Sequence, residues 1–273
     1  MAVPYTVTRS ALRQKIARQV DDLFRMGTAT AGGANTIADT NTLFETDDFY
    51  NGCRFYIYSG VGAAQSERLV TDFASSTAQA TVRPNWATQP TTASLYEVHR
   101  LLRVSDYNDA IDEAVRQLQY DFLVSQVSTV SLTTDDFIYD LPASFAYVNR
   151  VSIIDTDLDE VYILNEGDEW HIKGGSYDDI EIARWVPVAT GYTLKIEGQA
   201  VATLPTADTD SLSLDIEFLV HYGMAWCFAK LGGRNSPDQE YYRERADKEL
   251  AIAEERRRSL PRRVQPGSIF AER

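Results

Sequence analysis

Long apolar runs are the first thing this 273-residue sequence lacks. No run approaches the ~18 apolar residues of a membrane span, so no transmembrane helix and no membrane partner are expected. The opening residues, MAVPYTVTRSALRQKI, show neither an apolar signal core nor a small-residue cleavage site, and no targeting segment is expected there. Cysteine is scarce: Cys53 and Cys227 stand far apart in dissimilar surroundings. They read as buried thiols of a protein folded in a reducing cytoplasm, which excludes a disulfide framework. Proline is scarce too, 9 in all, and 44% hydrophobic against 24% charged residues is the balance of a globular chain with a sizeable core.

Positive charge is short as well. Against 26 Lys+Arg stand 40 Asp+Glu, a net charge of −14. Residues 256–273 hold six arginines and one glutamate, a local +5, so residues 1–255 carry −19. Such a body repels a polyphosphate and is a poor grip for nucleic acid.

Recognisable catalytic motifs are absent: GxSxG, CxxC and HExxH do not occur. The three histidines, His99, His171 and His221, have no second ligand at metal-site spacing. Two stretches imitate sites. Gly60 and Gly62 in YSGVGAAQ suggest a phosphate-binding loop, but the third glycine is missing, no lysine follows, and SERLVTDF after it reads as a strand. A hairpin turn, where glycine permits positive φ, is the better reading. In DTDLDEVYILNE, Asp155, Asp157, Asp159 and Glu166 fall on calcium-loop positions, yet Glu160 stands where the sharp turn needs glycine. An acidic hairpin turn is expected. The expectation is no catalysis, no metal site and no cofactor.

What is present is alternation of period. Leu12, Ile16, Val20, Leu23 and Phe24 predict an amphipathic helix over about 9–26, followed by a small-residue loop, TATAGGANT. Short β-runs occupy about 39–100. Helical period returns over about 105–124 (Tyr107, Ile111, Val115, Leu118, Phe122), with Ser105 as the expected N-cap. VSL, DFIYDL, YVNRVSIID, VYILN, EWHIK, IEIARWV and YTLKIEG are candidate strands of a second β-region, and Pro142 should end one of them. Residues 214–231 are apolar nearly all round, as a buried central helix is, and Gly232–Gly233 should stop it. SPDQ at 236–239 predicts a capping box for a last, heavily charged helix with a thin stripe of Tyr242, Ala246, Leu250 and Ala253. The predicted fold is α+β: a four-helix bundle core (1–38 with 101–128 and 205–256), inserted barrel- or sandwich-like β-modules at 39–100 and 129–204, and an extended C-terminal arm at 257–273.

Four stretches together resemble the head-to-tail adaptor (connector or neck) proteins of tailed bacteriophages. They are the insert at 43–82, SDYNDAIDEAVRQL at 105–118, FIYDLPASFAYVNRVSII at 137–154, and the hairpin LVHYGMAWCFAKLGGRNSPDQEYYRERADKELA at 219–251. The resemblance implies a structural virion protein, made in the host cytoplasm and placed in the neck of the particle. It implies a ring, typically of twelve subunits, between portal and tail, carrying the DNA channel without specific binding, with tail or nozzle proteins below. It also implies a C-terminal arm that holds the portal or a neighbouring subunit, for which Arg257, Arg258, Arg262, Arg263, Ile269 and Phe270 are the candidate contacts. The acidic body agrees, since a wall of carboxylates keeps passing phosphates in solution. Alternatives from other classes are a stopper or tail-terminator ring, a carbohydrate- or receptor-binding β-protein, and a hydrolase, the last disfavoured by the missing nucleophile–base pair.

Overall fold

The structure is a computed structural model and describes residues 6–63, 65–119, 121–141, 145–157, 159–173, 179–186, 188–233 and 237–260. In chain order, β1 (Val7–Thr8) leads into α1 (Arg9–Gln19). Then come β2 (Leu23–Thr28), β3 (Ala31–Gly32), β4 (Thr36–Ala38), β5 (Arg54–Ser59), β6 (Arg68–Ala74), β7 (Gln79–Arg83) and β8 (Leu95–His99). After α2 (Val104–Leu118), a second run comprises β9 (Val124–Ser131), β10 (Ile138–Asp140), β11 (Phe145–Ile154), β12 (Glu160–Leu164), β13 (Trp170–Ile172), β14 (Asp179–Ile182) and β15 (Thr193–Ala200). Finally come β16 (Ser211–Leu212), α3 (Ile216–Gly232) and α4 (Gln239–Ser259). The described residues form two compact units: one from the stretches up to Leu118 and from Thr203 onward, the other within Gln119–Ala202.

In the first unit the α+β expectation holds, but the four-helix bundle does not stand by itself. An antiparallel sheet ordered β2-β8-β5-β6-β7-β4-β3 shares this unit with the helices and encloses its own core of Tyr50, Phe55, Phe73, Tyr96 and their aliphatic neighbours. Among the helices α3 is the hub, with α4, α2 and α1 all packed on it. The approach of α1 is close: a Cβ at Gly223 would lie 2.6 Å from Ile16 Cδ1.

The helix predicted over 9–26 is also corrected. Thr8 caps it, its hydroxyl accepting from the Ala11 amide at 3.3 Å, and it ends at Gln19. Asp21 turns the chain at φ 61°, and Asp22 is buried with its carboxylate accepting from the Arg100, Leu101 and Leu102 amides. Those bonds tether the chain beside β8, so Leu23 and Phe24 enter β2 with Leu23 opposite His99. Strand pairing overrides the helical stripe because it satisfies the backbone of both segments at once. The expected loop TATAGGANT carries β3 and the first residue of β4.

The second predicted helix is shorter than expected, because Leu118 closes α2 and the chain re-enters a sheet at Val124. Ser105 is not its cap. The Arg103 amide donates to Asp106 at 2.9 Å and the Val104 amide to Glu67 at 2.8 Å, so two carboxylates serve the exposed donors of the first turn. At α3 the N-cap is Asp215, accepting from the Phe218 amide at 2.8 Å, and Gly233 is the C-cap. The charged helix α4 opens at Gln239; Ser236 of the expected capping box lies outside the described residues. Ala246 and Ala253 are buried on it, whereas Leu250 of the expected stripe is exposed.

The second unit is a two-sheet β-sandwich. One sheet is ordered β12-β11-β15-β9 and the other β10-β14-β13, both antiparallel. All seven candidate strands of this region form. Alternation along β15 buries Leu194 and Ile196, which meet Ile180 and Ile182 of β14 in one core with Trp170 and Val151. β10 ends at Asp140; Pro142, expected to stop it, lies outside the described residues.

Candidate functional site

The most concentrated chemistry in the first unit is a buried ionic network that sequence reasoning missed. Arg13 of α1, Glu97 and His99 of β8, and Asp22 are all fully buried. Arg13 Nε donates to Glu97 Oε1 at 2.5 Å, Nη1 to Asp208 Oδ1 at 2.6 Å and to Asn108 Oδ1 at 3.1 Å. Its guanidinium lies over the Tyr56 ring, 4.9 Å from the centroid, and the Tyr56 hydroxyl donates to Asp208 at 2.8 Å. Asp22 accepts the Tyr107 hydroxyl at 2.7 Å. One arginine thus ties α1 to β8, to α2 and to the segment before β16.

The electrostatics follow from that enclosure. Burial alone pushes the Glu97 carboxyl up, but His99 Nε2 at 3.3 Å and the Arg13 charge outweigh it and hold it below its ordinary value. Burial also pulls on Arg13, and the Glu97 and Asp208 carboxylates overcome this and raise it. Burial, then the neighbouring carboxylates, pushes the Tyr56 and Tyr107 hydroxyls well above their normal range. Arg13, Glu97, His99 and Asp22 are sealed from any substrate, while Tyr56 and Asn108 at the margin of the network line an open cleft; the work of the sealed part is to fasten helices to the sheet.

An open cleft of about 560 Å³ lies in the same unit, where β5 and β6 meet the start of α2. Arg54, Arg83 and Arg103 line it with Glu67 among them. Glu67 Oε1 sits 3.3 Å from Arg54 Nε and 3.8 Å from Arg103 Nε, so the basic rim carries its own carboxylate. Burial raises the Glu67 pKa, opposed by the Val104 amide and the two arginines.

The two imitations resolve as turns. Gly60 (φ 81°) and Gly62 (φ 84°) lie in the β5–β6 hairpin, and a Cβ at Gly60 would lie 1.8 Å from the Ala93 carbonyl oxygen. The acidic stretch is the β11–β12 turn, where Asp155 Oδ1 accepts from the Asp157 and Asp159 amides, both at 3.0 Å. Among the described residues no three His, Cys, Asp or Glu side chains gather as metal ligands. Cys53 and Cys227 are free and buried, and burial raises both thiols.

The expected partner contacts divide. Arg257 and Arg258 belong to the last turn of α4, not to an extended arm, and Arg257 Nη1 lies 3.8 Å from Glu254. Arg256 grips the α3 cap, with Nη2 donating to Asp215 at 2.7 Å and Nε at 3.1 Å. Arg262, Arg263, Ile269 and Phe270 lie outside the described residues.

Residues 84–266 match the SU10 adaptor protein family, more than half of the chain. The chain belongs to that family. It is a phage adaptor-type protein and so a virion component. The adaptor match takes in β8, α2, the whole β-sandwich, α3 and α4, and contains three of the four resembling stretches; the insert at 43–82 falls outside it. No curated protein matches the adaptor chain. No helix among the described residues is long and apolar enough to cross a membrane.

Proposed function

We propose that this adaptor is a head-to-tail connector: a ring of identical chains, twelve by analogy with such proteins, between the portal and the tail or nozzle proteins, with DNA passing through its centre. Membership of the adaptor family carries the reading. The charge supports it, because a body at −19 lining a conduit repels phosphate and lets DNA slide. In this reading the protein has no catalytic role and needs no cofactor.

Attachment to the portal, or to a neighbouring subunit, falls to the chain end, with Arg257, Arg258, Arg262 and Arg263 as charged contacts and Ile269 and Phe270 as anchors. Exposed arginine–carboxylate pairs contribute only ~0–1 kcal/mol each, whereas burying a phenylalanine contributes about 1.5–3 kcal/mol. A ring multiplies such weak arms, since each docking raises the effective concentration of the next. The test is a mass measurement of the full chain, alone and with portal-bearing heads, beside a chain ending at Leu260 that keeps the Arg256–Asp215 clamp. Loss of attachment on truncation, and a larger loss for Phe270→Ala than for Arg273→Ala, is expected. Normal assembly of the truncated chain onto heads refutes the arm, and a chain that never oligomerises on heads refutes the ring.

A further inference from the structure

The four-stranded sheet of the sandwich ends in two strands that break the ordinary rule for edges. A free edge presents unpaired backbone donors and acceptors, and soluble monomers guard it with charges, prolines or bulges. β9 reads VSQVSTVS, with no charge and no proline, and its register against β15 runs unbroken from Val124↔Ala200 to Ser131↔Thr193. β12 reads EVYIL, guarded only at its first residue. Its one register shift lies at that same end, opposite Ile153 and Ile154. Among the described residues no strand pairs with the outer side of either.

The outward face of this sheet also has its charges in the wrong place for a monomer. Ile163, Ser152, Lys195 and Thr129 form one row across β12, β11, β15 and β9. Arg150, Glu197 and Val127 form the next. The two central strands carry Arg150, Lys195 and Glu197, and Glu160 at the first position of β12 supplies the second carboxylate that balances the two cations. Lys195 Nζ lies 2.6 Å from Glu197 and 3.3 Å from Glu160, and Arg150 Nη1 lies 3.6 Å from Glu197. The apolar side chains stand at the rims instead: Val127 on β9 is 58% exposed, and Val161 and Ile163 on β12 are 55% and 53% exposed. A surface built for water would have the reverse.

Within one chain these rims cannot meet, because three strand spacings, about 14 Å, separate β9 from β12. Between chains they can. Directions alternate across the sheet, so β9 and β12 run antiparallel, and a copy moved sideways or rotated about an axis along the strands keeps that alternation. β9 of one copy then meets β12 of the next as an ordinary antiparallel pair, with no like charges opposed.

We propose that β9 of one chain adds to β12 of a neighbouring copy, joining the sandwiches head to tail and bringing Val127 against Val161 and Ile163. The interface is heterologous, so repeated use either closes into a ring or propagates. The inference deepens the ring reading and rests on it only for closure.

Cysteine pairs in the full chain test it. Ser125→Cys, Val127→Cys, Thr129→Cys and Ser131→Cys are each combined with Ile163→Cys, all on the outward face. A disulfide needs Cα atoms within about 7 Å, so none forms inside one chain, and the native cysteines are buried. At least one pair is expected to give a reducible ladder of multimers under oxidation, while the single variants give none. Val127→Lys and Ile163→Lys, which sit in solvent and leave the fold intact, should each weaken self-association about tenfold or more. Rings seen by mass and imaging with no cross-link at any pair, and unaffected by either lysine, would overturn the strand pairing while leaving the ring reading intact. A chain that neither assembles nor cross-links overturns both. Cross-linking of the single variants to a different virion protein also overturns it.

Discussion

Replacing Arg13 with methionine removes the guanidinium bonded to Glu97 and leaves that carboxylate fully buried beside His99. Removing one partner of a buried pair costs about 3–5 kcal/mol, mostly from the charge left behind. The upper part of that range applies here, since the guanidinium also loses Asp208 and Asn108 and its place over Tyr56. For a unit of this size the midpoint of thermal unfolding should fall by on the order of 10 °C. The pH dependence is the sharper readout. In the native protein Glu97 is held below its ordinary value of 4.5, so its contribution is complete above that value and is lost as pH falls through the folded pKa. Without Arg13 burial is opposed by His99 and no longer by the guanidinium, so the folded pKa of Glu97 moves up. The variant should therefore lose less stability from this group than the native protein does as pH falls below about 5. Urea denaturation followed by circular dichroism at several pH values measures both effects. Adding Glu97→Leu to Arg13→Met should recover more than half of the loss, because an apolar pair leaves no orphaned charge. A loss below about 1 kcal/mol, or an unchanged pH profile, would refute the claim that this network fastens α1 to the sheet.

Asp215→Ala removes the α3 cap and releases Arg256, and should cost about 1–2 kcal/mol in thermal denaturation. Burial raises the Asp215 pKa but Arg256 and the Phe218 amide lower it further, so its contribution is present above the unfolded carboxylate pKa and disappears on acidification; a loss at neutral pH no larger than that at pH 2 would contradict this. Gly60→Ala should destabilise by about 2 kcal/mol or more, since its Cβ meets the Ala93 carbonyl, whereas Gly52→Ala, with open space around it at φ 83°, should lose only about 1 kcal/mol; equal urea midpoints would show that the close approach carries no weight. Duplex DNA should bind weakly and salt-sensitively in gel shifts, and sub-micromolar binding at physiological salt by a chain ending at Leu260 would refute the conduit argument.

Local signals carried over well wherever one segment's pattern was enough to bury it. The strands of the sandwich were most legible where burial alternates against the core, as Leu194 and Ile196 do on β15. The buried helix α3 was legible because only a central helix can be apolar on every side. Gly60 and Gly62 were separable from a phosphate loop by what flanks them. The resembling stretches at 105–118, 137–154 and 219–251 all fall within the residues that match the adaptor family.

Tertiary structure decided what depends on distant partners. Leu23 and Phe24 continue a helical stripe, yet Asp22 binds three amides from residues 100–102 and turns them into a strand. Arg13 looks like a solvated helix residue until Glu97 and Asp208, 84 and 195 positions away, close over it. Arg256 reads as part of a basic tail but belongs to the α3 cap, and the unguarded edges at β9 and β12 exist only once the strand order is known. Composition and periodicity report what each segment can bury; which donor, charge or strand edge it meets is set by chain crossings that no local pattern encodes.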